Sequence, residues 1–172
     1  MISNFYTVSE VLSSTECDEI INYCTGKCKP STVVVGSQPN VRNSVNTFFA
    51  PNELPMTKKV LDCVSQVCYE IFNFPVNNVE PIQYAEYTKD MYYDSHIDSG
   101  KTLDLDRDIS VSVFLSPRNE YEGGNLSFWD PNGWVDVNEQ QGNVVIFSSM
   151  LPHKVKKVKK GKRTSLVLWC RR

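Results

Sequence analysis

The second half of the chain is a series of short apolar and β-branched segments separated by turn signals. Such segments are typical of an antiparallel sandwich or jelly roll. Gly-Gly, Asn-Gly and Gly-Asn pairs lie between several of them, because glycine and asparagine tolerate the backbone angles of tight turns. The predicted strands are 79–87, 92–98, 108–115, 126–129, 144–147, 153–158 and 163–169.

Two helices and two more strands are predicted before this series. Ser13 and Glu16 have capping-box spacing, and the apolar residues of the helix that follows lie on one face and are Cys17, Ile20, Ile21 and Cys24. Gly26 is expected to end that helix. A second helix is predicted to begin near Pro55 and to continue until Asn73 and Pro75 close it, with an apolar stripe of Val60, Val64, Val67 and Ile71. The additional strands are 31–35, which leads into a loop through Gly36 and Pro39, and 43–49.

The predicted fold class is α+β, mainly β: a double-stranded β-helix, or jelly roll, with the N-terminal helices packed on one sheet. A length of 172 residues favours one domain over 1–172. The net charge of −2 gives no reason to expect nucleic acid as a partner. The chain has no apolar run of membrane-spanning length and no signal-peptide pattern, so a cytoplasmic protein is expected. Its six cysteines lack the spacing of a disulfide scaffold, and reduced thiols are expected.

The two histidines of the chain have neighbours that suggest a shared role. Asp98 follows His96 by two residues, and in an extended segment such side chains face the same side and can converge on one ion. His153 lies far downstream, with Arg163 ten residues after it. Two imidazoles and one carboxylate leave three positions open on an octahedral ion, as in non-haem Fe(II) oxygenases. A surface His-Asp pair is the simpler interpretation of His96 and Asp98 alone, but His153 and Arg163 favour the metal site.

The chain resembles the prolyl 4-hydroxylase-type branch of the Fe(II)/2-oxoglutarate dioxygenases. The family motif Tyr-x-x-Gly-x-x-Tyr-x-x-His-x-Asp aligns with Tyr87, Asp90, Tyr93, His96 and Asp98. Only the glycine position differs, and Asp90 is expected to change the shape of the turn between the tyrosines. Further matches cover nearly the whole chain and lie in 11–21, 107–115, 122–128, 142–147, 153–163 and at Trp169.

The resemblance implies Fe(II) held by His96, Asp98 and His153. It also implies that 2-oxoglutarate chelates the iron and that its far carboxylate meets Arg163, whose planar fork can grip a carboxylate through two hydrogen bonds. Tyr87 is expected to donate a hydrogen bond to 2-oxoglutarate. Tyr93 is expected to form a wall that orients the metal-binding strand.

Ser165 shares one face of its alternating strand with Arg163 and could help to bind the cosubstrate, although a purely structural serine fits equally well. The implied reaction consumes O₂, places one oxygen atom in succinate as CO₂ leaves, and returns the other as a hydroxyl group. The presence of Asp98 favours hydroxylation, since related halogenases lack this carboxylate. Ascorbate is a further cofactor that the resemblance suggests.

Proline in a peptide or protein is the preferred substrate under this interpretation. A free amino acid or another small molecule is one alternative, and a metal-binding jelly roll that recognises a ligand without oxidising it is another. The lysine-rich run from Lys154 to Arg163 could bind nucleic acid or an acidic partner, but a solvent-facing hairpin with Val155 and Val158 turned inward is preferred. The acidic segment 104–108 is expected to be a solvated connection, and Trp129 and Trp134 could lie in the core or at its rim.

Overall fold

A computed structural model of the chain describes residues 5–32, 41–99 and 106–172. Two α-helices lie in this part, α1 (Ser14–Cys24) and α2 (Thr57–Phe72). The strands, numbered in chain order, are β1 (Phe5–Val8), β2 (Lys29–Pro30), β3 (Arg42–Asn43), β4 (Val45–Phe49), β5 (Asn78–Val79), β6 (Ile82–Tyr87), β7 (Tyr92–His96), β8 (Ile109–Phe114), β9 (Tyr121–Gly123), β10 (Leu126–Asp130), β11 (Gly133–Asp136), β12 (Val144–Ser148), β13 (His153–Val155), β14 (Val158–Gly161) and β15 (Arg163–Arg171).

The strands pair in antiparallel order and form two facing sheets. The larger sheet has the order β1-β12-β8-β15-β6-β4-β2, and β5 pairs with the far end of β15. The smaller sheet has the order β11-β10-β13-β7-β3, and β9 and β14 form a separate two-stranded ribbon. This architecture confirms the predicted mainly-β jelly roll with two helices.

Alternation along the larger sheet creates two separate apolar cores. One face carries Val111, Val113, Leu166 and Leu168, which pack against the buried sides of α1 and α2. The opposite face points into the space between the sheets, where Phe114 and Phe147 meet Phe128 of the smaller sheet. Successive strand residues point to opposite sides, so each strand contributes to both cores. The helices therefore cover one side of the sheet and leave the other side to line the interior.

Helix α1 forms as its sequence predicts. The Ser13 hydroxyl accepts a hydrogen bond from the Glu16 amide at 3.2 Å, and the Glu16 carboxylate accepts one from the Ser13 amide at 2.9 Å, which completes the capping box. Ile20 is fully buried, with Cys17 and Cys24 on the same face. Gly26, at φ +80°, lies in the left-handed region just after the helix, as the predicted end requires.

Helix α2 matches its prediction at both ends and differs from it in the burial of its last turn. It begins at Thr57, near Pro55 as predicted, and the Thr57 hydroxyl lies within hydrogen-bonding distance of two preceding carbonyl oxygens. Ile71 was predicted to be buried, but it is 50% exposed. It lies on the last turn, where Asn73 takes a left-handed conformation and the chain turns so that Phe74 enters the core instead. Asn73 does end the helix, as predicted.

Several predicted strand boundaries are wrong. Segment 79–87 is divided between β5 and β6, because Pro81 has no N–H for a ladder hydrogen bond. Segment 43–49 is interrupted at Ser44, which leaves β3 and β4. The chain pairs as β2 at Lys29–Pro30, whereas 33–35 of the predicted strand 31–35, with Gly36 and Pro39, lie outside the described residues. Strands β1, β9 and β11 were not predicted, and β9 includes part of the expected Glu122-Gly-Gly turn.

The lysine-rich run is not a hairpin, which corrects the sequence prediction. Its two strands, β13 and β14, pair with different partners: β13 with β10 and β7, and β14 with β9. Val155 and Val158 are nevertheless buried, as predicted. Carboxylates accompany three of the lysines, in the pairs Lys156–Asp136, Lys159–Glu122 and Lys162–Glu86. These ion pairs favour the solvent-facing interpretation of the run.

All six cysteines lie in the described part and are free thiols. Neither α-helix there has the length and apolar character needed to cross a membrane.

The packing of α1 on the larger sheet can be tested with two matched substitutions. Ile20→Ala should lower the free energy of unfolding by about 2–5 kcal/mol, because it leaves a cavity in the helix-side core. Ile71→Ala makes the same chemical change on the half-exposed end of α2 and should cost less than about 1 kcal/mol. Urea denaturation monitored by circular dichroism measures both values, and equal losses would contradict the described burial.

Candidate metal centre

The pairing of β7 with β13 places the two histidines side by side. His96 and His153 are direct partners across this antiparallel pair, so their side chains leave the sheet on the same face. Their ring centroids lie 4.2 Å apart with an interplanar angle of 55°. Two residues that are distant in sequence are thereby brought together by backbone hydrogen bonding.

Each imidazole is oriented by a carbonyl oxygen two residues earlier in the chain. Nδ1 of His96 lies 2.8 Å from the Asp94 carbonyl oxygen, and Nδ1 of His153 lies 2.9 Å from that of Leu151. A carbonyl oxygen can only accept, which assigns the ring proton to Nδ1 in each neutral imidazole. The lone pair of Nε2 is then available to a metal ion, and such second contacts commonly fix metal-binding histidines.

Asp98 reaches the histidines from outside the strand. The prediction of a strand over 92–98 is wrong here, because β7 ends at His96. The Asp98 amide instead donates to the Ser149 carbonyl oxygen at 2.8 Å, which ties the residue to the loop before β13. The Ser110 hydroxyl donates to Asp98 Oδ2 at 2.7 Å and lies 2.8 Å from the Ser149 hydroxyl. Two serines therefore hold the carboxylate in place.

Burial and charge set the protonation of this cluster. Burial is the largest influence on His96 and, together with repulsion from His153, lowers its pKa to about 3. Burial acts to raise the pKa of Asp98, but the two histidines and the Ser110 hydrogen bond outweigh it and lower that pKa below its usual value. A neutral His96 and an ionised Asp98 are the forms that bind divalent metal ions.

The three side chains have a spacing suited to one ion. Nε2 of His96 lies 3.6 Å from Asp98 Oδ1, and Nε2 of His153 lies 3.5 Å from Oδ2, too far apart for strong hydrogen bonds. Ligands at right angles, each about 2.1 Å from an ion, lie about 3 Å apart. A small inward movement of the three side chains would therefore bring their ligand atoms to the spacing that one metal ion requires. Among the described residues, this is the one group of three or more histidine, cysteine and carboxylate side chains that could hold a metal ion.

Tyr93 and Arg42 extend the site through ring stacking. The ring of Tyr93 stacks on His96 with centroids 3.5 Å apart and planes 13° apart. The guanidinium carbon of Arg42 lies 4.6 Å from the Tyr93 ring centroid on the neighbouring strand. Burial raises the pKa of Tyr93 to about 12, so its hydroxyl group stays protonated. Tyr93 lies on the metal-binding strand itself, and its role as a wall that orients this strand stays a prediction. The contact from Arg42 was not foreseen.

Arg163 lies inside the sandwich. It begins β15, opposite Tyr87 of β6, and is only 2% exposed. Its guanidinium carbon lies 5.7 Å from the ring centroid of Tyr87, and its Nη1 donates to the Ser165 hydroxyl at 3.1 Å. Arg163 and Ser165 therefore share the inward face, as alternation predicts. Gly124 allows this packing, because a Cβ atom there would lie 3.2 Å from the Arg163 side chain.

Glu139 is a buried partner of Arg163 that sequence reasoning missed. Nε of Arg163 donates to Oε2 at 3.1 Å, and Nη2 donates to Oε1 at 3.2 Å. The same carboxylate accepts hydrogen bonds from the Tyr121 hydroxyl at 2.5 Å and the Leu126 amide at 2.6 Å. Burial alone would lower the pKa of Arg163, but Glu139 outweighs it and raises that pKa. Glu139 lies in the polar stretch 138–143 of the sequence, and nothing in that stretch marks it as buried.

The motif residues around the site have clear positions. Asp90 has φ +67°, in the left-handed region typical of glycine, and its effect on the shape of the turn stays a prediction. Trp169 is buried beneath Arg107, whose guanidinium carbon lies 3.8 Å from its ring centroid. Trp129 is 46% exposed and makes an edge contact with Trp134, so this pair belongs to the rim. Of the acidic segment 104–108, residues 104 and 105 lie outside the described part.

The sequence profile of the 2OG-Fe(II) oxygenase superfamily matches residues 82–171, which include all three candidate ligands and Arg163. The chain belongs to this superfamily. The cofactor of the domain is therefore Fe(II), and its cosubstrates are 2-oxoglutarate and O₂. The resemblance to prolyl hydroxylases that the sequence motifs indicated is confirmed by the names of similar proteins.

Proteins of similar sequence carry hydroxylase names. A protein of Acanthamoeba polyphaga mimivirus, named provisionally as a prolyl 4-hydroxylase, is 26% identical over 150 residues. The match covers 83% of this chain and 59% of the viral protein. A PKHD-type hydroxylase of Crocosphaera subtropica is 25% identical over 170 residues, which cover 95% of this chain and 76% of that protein.

Solved structures show the same fold at low sequence identity. A Pseudomonas putida prolyl-4-hydroxylase superposes with a TM-score of 0.80 at 21% identity, covering 98% of this chain and 93% of that one. A Trichoplax adhaerens prolyl hydroxylase bound to a hypoxia-inducible-factor peptide has the same TM-score and identity, covering 98% and 84%. A viral collagen prolyl hydroxylase of Paramecium bursaria Chlorella virus-1, bound to 2OG, has a TM-score of 0.74 at 22% identity, covering 98% and 96%.

The hydrogen bond from Ser110 to Asp98 generates a test of the metal centre. Ser110→Ala should weaken binding of Mn(II), a stand-in for Fe(II), by about 10- to 100-fold, because a residue that orients a ligand is lost. Ser112→Ala, on the same face of β8, should leave Mn(II) affinity unchanged. Isothermal titration calorimetry measures both dissociation constants, and equal effects of the two substitutions would contradict the role of Ser110.

Proposed function

We propose that His96, Asp98 and His153 hold the Fe(II) and that residues 1–172 act as a single 2-oxoglutarate-dependent hydroxylase domain whose substrate is proline in a peptide or protein. The convergence of both Nε2 atoms on the Asp98 carboxylate carries this proposal. Membership of the superfamily supplies the reaction class.

The three ligands are suited to Fe(II). Two imidazoles and one carboxylate neutralise part of the ion's charge and leave coordination positions for other molecules. When bound, Fe(II) and 2-oxoglutarate supply the chemistry of O₂ activation, with succinate and CO₂ as products. Asp98 is held ready by Ser110 and Ser149, and each histidine is held by a backbone carbonyl oxygen. These contacts keep the ligands oriented before the metal ion arrives.

Arg163 is the proposed anchor for the far carboxylate of 2-oxoglutarate. A guanidinium group has five N–H donors, of which two contact Glu139 and one contacts Ser165. One donor on each terminal nitrogen is left for a ligand, and this pair matches the two oxygens of a carboxylate. Tyr87, opposite Arg163 in the sheet, is the proposed second donor. Ser165 then acts on the cosubstrate by positioning Arg163.

Apolar side chains between the sheets exclude water from the same interior. Phe147 lies 4.9 Å from the His153 ring centroid and 4.6 Å from the Phe128 ring centroid, and both phenylalanines are buried. Phe114 lies in the same core, with its ring centroid 5.8 Å from the Arg163 guanidinium carbon. A dry interior strengthens the charge-assisted contacts of a bound dicarboxylate and limits side reactions with water.

A peptide substrate is supported by the similar proteins. The Trichoplax adhaerens relative binds a peptide fragment, and several relatives are named as prolyl hydroxylases. Tyr93 stacks on His96, and Arg42 packs on Tyr93, so these two residues are the proposed wall of the metal centre on that side. A free amino acid or another small molecule is the competing substrate class. A reductant role for ascorbate stays a prediction.

The role of Arg163 predicts a specific loss of cosubstrate binding. Arg163→Gln should weaken binding of 2-oxoglutarate to the anaerobic Fe(II) protein by about 10- to 100-fold, since a charge-assisted hydrogen bond contributes about 1.5–3 kcal/mol. The visible charge-transfer band of the Fe(II)–2-oxoglutarate complex reports this binding. Lys162→Gln removes a neighbouring exposed charge and should have no effect. Normal binding by Arg163→Gln would refute the assignment.

Substrate class can be decided by turnover. We expect succinate release above the uncoupled background with proline-containing peptides and none with free proline or other free amino acids, because a peptide supplies the backbone contacts that a metabolite lacks. Mass spectrometry of the peptides should then show an added oxygen atom. Stimulation by a free amino acid alone would favour the small-molecule alternative.

A further inference from the structure

A second buried arginine adjoins the metal centre. Arg42 is only 8% exposed and lies on β3, which is the edge strand of the smaller sheet in the described part of the chain. It is the direct partner of Tyr93 on β7, and its guanidinium carbon lies over the Tyr93 ring. The same ring stacks on His96. One aromatic side chain therefore contacts both the guanidinium group and a proposed metal ligand.

An irregularity in β7 brings Tyr93 and His96 to the same side of the sheet. Tyr93 pairs with Val155 and His96 pairs with His153, so three steps along β7 match two steps along β13. Such a bulge redirects side chains that regular alternation would send to opposite faces. Because direct partners on neighbouring strands share a face, Arg42 follows Tyr93 to the side of the sheet that carries the metal centre.

Two buried serines hold the guanidinium group of Arg42 in place. Its Nε donates to the Ser44 hydroxyl at 2.9 Å, and the Ser44 hydroxyl donates to the Ser31 hydroxyl at 2.8 Å. These contacts use Nε and leave the terminal nitrogens to other partners. The orientation of the guanidinium group is therefore set before any ligand binds.

The hydrogen bonding and the charge of Arg42 are both left unsatisfied. Nη2 is buried and has no hydrogen-bond partner among the residues that the structure describes. None of the ion pairs in that part of the chain includes Arg42. Arg163 differs in this respect, because Glu139 compensates its charge. A buried donor without an acceptor and a buried cation without an anion are both unfavourable, and a negatively charged acceptor would relieve both.

The position of Arg42 favours the substrate as the source of that acceptor. The far carboxylate of 2-oxoglutarate has its proposed anchor at Arg163, on β15 of the larger sheet. Arg42 lies on the smaller sheet instead, beside the strand that carries His96, and it keeps a small exposed area that a group from a larger molecule can reach. A carboxylate would satisfy both the charge and the N–H donor, whereas a neutral carbonyl oxygen would satisfy only the donor.

We propose that Arg42 is a specificity-determining residue that binds a carboxylate of the substrate beside the metal centre. This inference rests on the proposed hydroxylation of proline in a peptide or protein. It narrows that substrate class to prolines that have an acidic side chain or a free carboxyl terminus close to them. The guanidinium group donates hydrogen bonds to the carboxylate, and this contact positions the neighbouring proline at the metal centre.

The test measures succinate release from matched pairs of proline peptides. Each acetylated and amidated peptide carries one glutamate at a defined distance from a central proline, and its control has glutamine there. A further pair ends in proline with either a free carboxylate or an amide, which separates the two sources of the carboxylate. For at least one pair, wild-type protein should show a KM about 10- to 100-fold lower for the carboxylate peptide, with kcat changed by less than about twofold.

Arg42→Gln should remove this difference in KM. It should bind 2-oxoglutarate as the wild-type protein does, which the charge-transfer band of the anaerobic Fe(II) protein reports. Lys157→Gln is the matched control, because it removes an exposed cation near Tyr92 on the same sheet and should retain the difference. A merely structural role for Arg42 would impair turnover of both members of each pair equally in Arg42→Gln, which would overturn the proposal.

Equal KM values within every pair for the wild-type protein would also refute it, and this measurement decides the matter if Arg42→Gln does not fold. A loss of 2-oxoglutarate binding in Arg42→Gln would assign the arginine to the cosubstrate and would count against the proposal as well. Failure of the proposed function has a different signature: wild-type protein then releases no succinate above background with any proline peptide. That result would refute both proposals, whereas equal turnover of acidic and neutral peptides would refute this one alone.

Discussion

The site depends on the antiparallel pairing of β7 with β13, which sets His96 directly opposite His153. A shift of one residue in this pairing would turn one imidazole to the outer face, because side chains alternate along a strand. The backbone hydrogen bonds between β7 and β13 therefore determine the relative positions of the two histidines. Asp98 lies beyond the end of β7, and Ser149 ties it to the loop that leads into β13. The third ligand is thus fixed to the same pair of strands by a tertiary contact.

The two faces of the larger sheet have different roles: one packs against the helices, and the other lines the interior that contains the candidate site. On β15, Leu166 and Leu168 pack toward the helices, whereas Arg163 and Ser165 face the interior between the sheets. A cation can be buried there because Glu139 compensates it and the hydroxyl of Ser165 accepts a further hydrogen bond. Burial of an unpaired charge would cost several kcal/mol. The fold can therefore keep a guanidinium group ready in an apolar surrounding.

Local patterns in the sequence predicted much of this arrangement. Apolar alternation identified the inward face of β15, and the capping box at Ser13 identified the start of α1. Other features depend on tertiary contacts, which no local sequence pattern predicts. Glu139 lies in the polar segment 138–143, and its burial depends on contacts with Arg163, Tyr121 and Leu126. Ile71 matched a buried stripe, yet the helix ends before the core can cover it. The predicted strand 153–158 is divided as well, because β13 pairs with β10 and β7 whereas β14 pairs with β9.

The most direct test of the account is an anaerobic crystal structure with Fe(II) and 2-oxoglutarate, in which anomalous scattering at the iron edge locates the metal ion. The account predicts one iron within about 2.0–2.3 Å of Nε2 of His96, Nε2 of His153 and a carboxylate oxygen of Asp98. It also predicts that the far carboxylate of 2-oxoglutarate contacts the N–H donors of Arg163 that Glu139 and Ser165 leave available. Iron bound without one of these three side chains, or 2-oxoglutarate directed away from Arg163, would contradict it.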